Sequence, residues 1–590
     1  MTRVVDRVLI LDGSTSYEND VVGGKGASIA RMRSLDLPVP PAFVVPVDEC
    51  RRYHAAGRRL DGGLWPSVLE GVAALELETG RRLGDPSGPL LVSVRSGAAV
   101  SMPGMMDTVI NLGINDEVED GLGRLCADPA FARNTHARFL REFGDIVMHA
   151  EVDRLAKAPT PAEIRAAILY DAGAAVPSEP YEQLELAIRA VFDSWVSRRA
   201  VAYRRHWGIP EDGGTAVVVQ AMVFGNLGLR SGTGVLFTRD PVTGRREMYG
   251  EWLPGGQGDD VVGGSVDPLP LEEMAEQLPE AHEQLLEAGR LLEHENRDVQ
   301  DIEFTVEAGR LYLLQSRTAK RSAQAAVLTA VELAEEGAID KRTALHRMSA
   351  EQLAFVLAPR LSDEERTRAT VLARGTPACP GVASGCVVLD FDVAGAADDQ
   401  VILARPTTSP DDISGIIAAR GVVTERGGST SHAAVVTRAL GRPSVVGVGE
   451  GVAAAWEGAE VTVDGSAGVV YAGRLHTAEV RDADVPGLTT IVAWARELSP
   501  VEVVEEAADV RDLDQGRARL DAEGRVDVEA LAEQMRGAPA VTGSMLTTND
   551  GARAVLRSGV PTVVRGPAQR EAVLLLQLVQ AGGEHDKEET

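Results

Sequence analysis

Positive charge is scarce in this chain. Its 590 residues hold 59 Lys and Arg against 88 Asp and Glu, a formal net charge of −29. Binding to nucleic acid rests on neutralising phosphates with cations, so bulk charge argues against a general nucleic-acid binder. Cysteine is also scarce: Cys50, Cys126, Cys379 and Cys386 are the four in the chain. So few in so long a chain exclude a disulfide-built scaffold, and Cys379 and Cys386, seven apart, have no identifiable partners for a metal site. No run of 18 or more apolar residues occurs, so no transmembrane helix is expected. Met1–Asp12 lacks the basic start, apolar core and small-residue cleavage site of a signal peptide, and a cytosolic protein is expected. There is no GxxxxGK[ST] phosphate loop and no internal repeat. What is present is an ordinary globular balance, 44% hydrophobic and 25% charged, at a length that suits about four domains. Glycine is enriched, with 61 residues, and clustered.

Along the chain, VDRVLIL (5–11) has strand character. Gly23–Gly24 precede a helical pattern through Ala27, Ile29, Ala30 and Met32 that should end near Leu37, before Pro38. Leu91, Val92 and Val94 predict a strand that carries Arg95 to its end. Residues 121–207 read as mostly helical. From 215 to 253 the texture changes to strands with glycine turns, including two candidates around DPVTG. QDIEFTVEAGRLYLLQSR (300–317) predicts a hairpin turning at Ala308–Gly309. Residues 318–370 read as helices joining two bodies, 371–473 as a unit of short strands and one helix, and 546–580 as one more small α/β piece. The tail GGEHDKEET is expected to be disordered.

Two constellations carry chemistry. The first suits a nucleoside triphosphate, which needs cations, backbone donors and Mg²⁺. Lys25 sits in GGKGA, Arg95 in VRSGA, and Arg317 closes LLQSR. Ser231-Gly232-Thr233-Gly234 reads as a flexible turn whose N–H groups cover phosphates. Asp301 and Glu303 alternate on one strand and face the same way. With Gln315 on the paired strand they form an oxygen ligand set suited to Mg²⁺. Each feature alone is more often a solvated face or a salt bridge; only their combination points to a nucleotide.

The second constellation is one histidine in GVVTERGGSTSHAAVVTRALG. A strand ends at Val423, Arg426-Gly427-Gly428 make a tight loop, and Ser429-Thr430-Ser431 supply a helix N-cap. His432 then lies in the first helical turn. A phosphoryl group attached there meets helix N–H groups and the positive end of the helix, which should also hold the imidazole neutral and nucleophilic.

Taken together, GGKGASIARMRSLDLPVPPAFVV, VRSGAAVSMPGMMDTVINLG, FLREFGDIVM, VQAMVFGN, SGTGVLFTRDPVTG, QDIEFTVEAGRLYLLQSR and GGSTSHAAVVTRALG resemble the pyruvate, phosphate dikinase family, in order and spacing, over roughly residues 5–473. The resemblance implies an α+β multidomain chain: an ATP-grasp nucleotide-binding domain (1–317), a helical linker (318–370) and a swivelling β/β/α phosphohistidine domain (371–473); residues 474–590 lie beyond it and read as an uncharacterised acidic region with a small α/β segment, not a barrel. It implies that Lys25, Arg95 and Arg317 contact the ATP phosphates and that Gln220, Met222 and Val223 hold the base. Glu303 and Gln315 would ligate Mg²⁺, with Asp301 ranked below Glu303. His432 would be phosphorylated, and Thr430 would be the site of a regulatory kinase/phosphorylase.

The family's third domain, a (β/α)₈ barrel binding pyruvate or phosphoenolpyruvate, needs about 250 residues, and 481–590 carries none of its motifs. The expectation is an enzyme that uses ATP and orthophosphate to phosphorylate His432 and requires a separate barrel protein for transfer to pyruvate, with no nucleic-acid or membrane partner. Two departures from the family pattern are Val266, where an Arg is usual, and Val448, where a cysteine is usual. The alternatives are a phosphoenolpyruvate synthase-like enzyme with water as acceptor, a rifamycin-type phosphotransferase, for which the interval after Arg317 is too short, and a non-catalytic nucleotide sensor.

Overall fold

The computed structural model describes the chain apart from residues 1–3, 6, 101, 103–104, 259, 261–267, 359, 391–400, 409–411, 430, 515–526, 566–570 and 589–590. Val266 and Thr430 therefore lie outside the described residues. Two antiparallel sheets build the first half. One has six strands in the order Val4–Val5, Val8–Ile10, Ala42–Val45, Ala216–Ala221, Val92–Gly97 and Thr108–Leu112. Its central strand Ala216–Ala221 is buried at every residue. Successive side chains of a strand point to opposite faces, and here both faces are covered. Val217 and Val219 pack with Phe139 and Phe192 from the helices Pro129–Ile146 and Pro180–Ser194. Val218 packs with Ile29 of the helix Asn19–Ser34 and with Phe304 of the second sheet. That is why TAVVVQA reads as a continuous apolar run.

The second sheet orders Leu269–Pro270, Tyr249–Pro254, Gly232–Phe237, Gln300–Glu307 and Arg310–Thr318. Here the flexible turn expected at Ser231–Gly234 is corrected. Gly232–Phe237 is a fully buried strand between two neighbours. Its glycines serve packing: the rings of Trp252 and Phe304 stack 6.0 Å apart, and a Cβ on Gly232 would come within 2.1 Å of the Trp252 ring. The Thr233 hydroxyl donates to the Phe304 carbonyl at 2.9 Å.

The histidine-bearing unit is an eight-stranded sheet in the order Val371–Arg374, Val469–Ala472, Glu460–Asp464, Val382–Val388, Val401–Arg405, Gly421–Thr424, Ser444–Val446 and Thr376–Cys379. The last strand-to-strand step among its parallel members, from Gly421–Thr424 to Ser444–Val446, is made through the helix His432–Leu440, as a parallel connection requires. Its entry and exit are tied together, because Arg360–Leu361 pairs antiparallel with Thr477–Ala478.

The expected linker helices form, at Ala323–Glu335, Lys341–His346 and Ala350–Val356, and they share a core with Leu488–Leu498 and Glu571–Glu588 through residues such as Val327, Leu353, Ile491 and Leu575. The C-terminal region thus braces them. Its four short parallel strands run in the order Glu502–Val504, Thr562–Val564, Ala540–Thr542, Val510–Asp512, a small open α/β sheet rather than a barrel among the described residues. The helix Glu571–Glu588 extends through most of the tail expected to be disordered; its apolar stretch 572–579 pulls the helix onto this core.

Candidate functional site

Arg95 is carried by the strand Val92–Gly97 and Lys25 by the helix Asn19–Ser34. These two elements touch through glycine. The helix kinks at Gly23, whose φ is +70°, and a Cβ there would lie 1.8 Å from the Gly97 carbonyl oxygen. The close approach sets Lys25 beside Arg95. The predicted hairpin forms over Gln300–Glu307 and Arg310–Thr318, with Asp301 opposite Arg317 and Glu303 opposite Gln315. Arg95 Nη2 donates to Glu303 Oε2 at 3.0 Å, and the Gln315 amide oxygen lies 3.4 Å from the same nitrogen. Arg317 Nε donates to Asp301 Oδ2 at 2.8 Å, and its Nη2 is 3.9 Å from Glu303.

The charges tune one another. Burial, then the positive neighbours Arg95 and Arg317, pushes the Lys25 ammonium down to about 7 against the pull of Glu303. Burial works against the Glu303 carboxylate too, but Arg95, Arg317 and Lys25 outweigh it and hold its pKa below the usual range. Asp301 shifts the other way, raised by burial despite Arg317, and its Oδ1 has no partner. Glu303, Gln315, Arg317, Arg95 and Lys25 border a cavity of about 2000 Å³; Asp301 does not. Gln220, Met222 and Val223 border the same cavity. The Gln220 side chain donates to the Pro40 carbonyl at 3.2 Å. None of Ser231–Gly234 borders it.

His432 borders this cavity as well. It is the first residue of its helix, 7% exposed. Its Nδ1 lies 3.4 Å from the Thr408 hydroxyl, while Nε2 is buried without a partner among the described residues. With the proton on Nδ1 facing Thr408, the Nε2 lone pair is free. Ser431 occupies the N-cap position, but its hydroxyl makes no cap bond. The imidazole is neutral for a different main reason from the one expected: burial drives its pKa down to about 4, with Asp412 opposing and Arg199 assisting.

A stability consequence follows. The folded pKa lies below the free value of 6.5, so the unfolded chain binds a proton that the native one refuses between these two values. Stability is therefore full above pH 6.5 and falls as pH drops toward 4, by about 2.5 kcal/mol at pH 4.5. Denaturant melts of the histidine-bearing unit should show this loss in the parent and not in His432→Ala; parallel profiles would refute it.

The loop before His432 is held by groups the sequence reading missed. Glu251 Oε1 accepts from the Ser429 N–H and hydroxyl, both at 2.8 Å, and the Tyr249 hydroxyl meets the Ser429 hydroxyl at 2.6 Å. A Cβ on Gly428 would sit 2.5 Å from Glu251. Burial raises the Tyr249 phenol to about 12. Arg438, six residues after His432, is 3% exposed and also borders the cavity. Its Nη1 donates to the Ala378 carbonyl at 3.2 Å, and its other two nitrogens find no acceptor among the described residues. No local pattern marks Tyr249, Glu251, Thr408 or Arg438. They act across distances in sequence that periodicity does not span.

The oxygen donors of Glu303 and Gln315, the first held ionised, fit a hard divalent cation. Among the described residues, the one cluster of three metal-ligating side chains is Asp116, Glu119 and His136. It lies off the cavity and is already paired internally, His136 with Glu119 at 2.7 Å and Asp116 with Arg165 at 2.8 Å. The four cysteines are free thiols; burial pushes Cys379 up to about 12. No helix among the described residues is long and apolar enough to cross a membrane.

Two opposed sheets around a polyanion-sized cavity, with a histidine unit closing it, define a nucleotide-binding domain coupled to a mobile histidine domain. Residues 60–276 match the family model described as pyruvate phosphate dikinase, AMP/ATP-binding domain, and residues 397–468 match PEP-utilising enzyme, mobile domain. Pyruvate, phosphate dikinase 1, chloroplastic, of Arabidopsis thaliana is 43% identical over 524 residues, 82% of this chain and 54% of that protein. Pyruvate, phosphate dikinase 2 of Zea mays is 42% identical over 527 residues, 83% and 59%. Pyruvate, phosphate dikinase of Clostridium symbiosum is 38% identical over 552 residues, 87% and 63%. The chain belongs to the pyruvate, phosphate dikinase family. It spans little more than half the length of these relatives. The cytosolic expectation does not stand: most of the similar relatives, including those of Arabidopsis and rice, are named chloroplastic.

Proposed function

We propose that this chain carries out the ATP- and orthophosphate-dependent half of a dikinase reaction, phosphorylating His432 and giving AMP and diphosphate. The observation that carries the reading is a single cavity bordered both by Lys25, Arg95, Glu303 and Arg317 and by His432 with an unpartnered Nε2. Lys25, Arg95 and Arg317 orient and neutralise the triphosphate, while Gln220, Met222 and Val223 face the base. Mg²⁺ held by Glu303 and Gln315, with Asp301 ranked below Glu303 as a ligand, would neutralise further phosphate charge. His432 Nε2 attacks the β-phosphorus, the bridge to the α-phosphorus breaks, and AMP leaves with the electron pair. An orthophosphate oxygen then attacks the γ-phosphorus, diphosphate departs, and phospho-His432 remains.

Thr408 keeps the proton on Nδ1, and the Glu251–Ser429 contact seats the loop. Onward transfer to pyruvate takes place on a phosphoenolpyruvate/pyruvate-binding module outside these residues, a barrel protein in the sequence reading. In this reading the chain divides as 1–317, 318–370, 371–473 and 474–590. Thr430, two residues before the nucleophile, is where phosphorylation by a regulatory kinase/phosphorylase would repel the phosphates.

The test is labelled ATP with Mg²⁺ and orthophosphate. Acid-labile, base-stable label from the β-phosphate, absent in His432→Ala, with diphosphate released, is the expected result. Release of orthophosphate in place of diphosphate would assign the acceptor role to water. Bound ATP with no label from either the β or the γ position would overturn the enzyme reading and leave a nucleotide sensor.

A further inference from the structure

Four strands of the second sheet contribute one residue each to a single row. Phe237 is directly opposite Tyr249 on one side and Asp301 on the other, and Asp301 is opposite Arg317. Residues directly opposite in antiparallel strands project from the same face. Tyr249, Phe237, Asp301 and Arg317 therefore run side by side across the sheet. The two ends of the row are engaged: Tyr249 meets Ser429 of the histidine-bearing unit, and Arg317 holds Asp301. The middle of the row lies against the histidine helix. There the Arg438 guanidinium carbon sits 6.0 Å from the centre of the Phe237 ring.

Opposite charges face this middle with bonds unmade. Arg438 Nε and Nη2 and Asp301 Oδ1 are all buried, and none has a hydrogen-bond partner among the described residues. Burial lowers the Arg438 pKa, opposed in order by Cys379, Asp301, Glu251 and Tyr249. Of the two carboxylates, Glu251 is taken up by the Ser429 N–H and hydroxyl. Asp301 holds Arg317 through Oδ2 and has its other oxygen to spare. Buried donors and a buried acceptor of opposite charge that stop short of each other are unfavourable. Arg317, the cation that Asp301 does hold, borders the cavity; Asp301 does not.

We propose that Arg438 is a positioning residue that docks the histidine-bearing unit in response to nucleotide: a triphosphate in the cavity draws Arg317 off Asp301, and the freed carboxylate pairs with Arg438. This rests on the nucleotide reading above and goes beyond it by giving Asp301 an exchange of ion-pair partners. Arg317 turns toward the phosphates while Asp301 stays in its row. Arg438 belongs to the helix that begins with His432, so the new pair fixes that helix, and Nε2 with it, at the cavity. Without nucleotide Asp301 belongs to Arg317, the pair is missing, and the unit is held by fewer bonds. Such coupling is reciprocal: nucleotide strengthens docking by the factor by which docking strengthens nucleotide binding.

The experiment uses the full chain with a donor–acceptor dye pair on Cys386, the exposed thiol of the histidine-bearing unit, and on Leu77→Cys, at a position 75% exposed on the helix Leu64–Thr79. The background is Cys126→Ser, and thermal melts confirm folding. The probe is adenosine triphosphate with a methylene α,β bridge, which binds with Mg²⁺ and is not cleaved. At saturation it should raise the docked fraction in the parent. Arg438→Met and Asp301→Asn should each lose that response, and Arg438→Lys should keep part of it. The analogue's dissociation constant should rise about 5- to 150-fold in Arg438→Met. The double variant should bind it little more weakly than the worse single one. Additive losses would put Arg438 directly on the phosphates and overturn the exchange, as would an undiminished docking response in either single variant. If Arg438→Met does not fold, Asp301→Asn decides alone: a retained response overturns the proposal and a lost one supports it. A parent that docks on nucleotide but takes no label on His432 would sink the phosphohistidine reading and leave the coupling standing. A parent that binds the analogue without docking would sink the coupling alone.

Discussion

Glu303→Gln should slow formation of phospho-His432 by about 10²- to 10³-fold while leaving the protein folded. The substitution keeps shape and volume and removes one charge. That charge is the carboxylate hydrogen-bonded to Arg95 at 3.0 Å and facing Arg317 and Lys25. Without it, three cations share the neighbourhood with Asp301 alone, which is engaged by Arg317 and sits away from the cavity. A neutral amide is also a poor ligand for Mg²⁺ compared with an ionised carboxylate. Lys25, already pushed down to about 7, loses the neighbour that holds its proton, so the rate should also become more sensitive to rising pH near neutrality. Rapid-quench labelling from β-labelled ATP measures the step. A rate within tenfold of the parent would remove Glu303 from the site.

The second large effect concerns the connection to the helical linker. Arg239, its side chain 1% exposed, donates to Glu293 on the helix Pro279–Asn296 and to Glu332 and Glu336 at the end of the helix Ala323–Glu335, at 2.8 to 3.2 Å. These carboxylates, with hydrogen bonding to Glu293 and Glu336 foremost, raise its pKa against the cost of burial. Arg239→Ala leaves three carboxylates facing one another around a vacant space. The cost should be about 3–5 kcal/mol in the unfolding of this region. Arg239→Met, which fills the space but supplies no charge, should recover only part of it. A loss below about 1 kcal/mol in Arg239→Ala, the scale of a surface pair, would show that the cluster is not acting as a buried one. Cleavage by protease within 318–370 provides the independent readout.

Much of the site was legible because its parts are local. The hairpin register that sets Asp301 against Arg317 and Glu303 against Gln315 follows from strand alternation around Ala308–Gly309, whose positive φ values of 50° and 87° make the turn. Arg95 reaches its place because Val92 and Val94 alternate in a strand. His432 heads a helix because serine, threonine and glycine precede an apolar helical run. The reading failed where packing overrides local chemistry. Ser231-Gly232-Thr233-Gly234 has the composition of a loop, yet the Trp252 and Phe304 rings need glycine beneath them in a strand. Residues 318–370 read correctly as helices joining two bodies, but nothing local in them tells that their apolar faces are met by helices from after residue 487.

By itself, the sequence determined the elements, the hairpin register, the chemical types available for the site and the family. Each depends on neighbours within a few residues or on a motif read as a string. The tertiary structure decided what those pieces do together. It brought His432 and Arg317 to one cavity across more than a hundred residues of chain, and it set Thr408 at His432 Nδ1 while leaving Nε2 without a partner among the described residues. Burial, not the helix end, emerged as the main cause of the neutral imidazole. Burial and Coulomb interactions depend on distance in space, and no local pattern in the sequence encodes that distance.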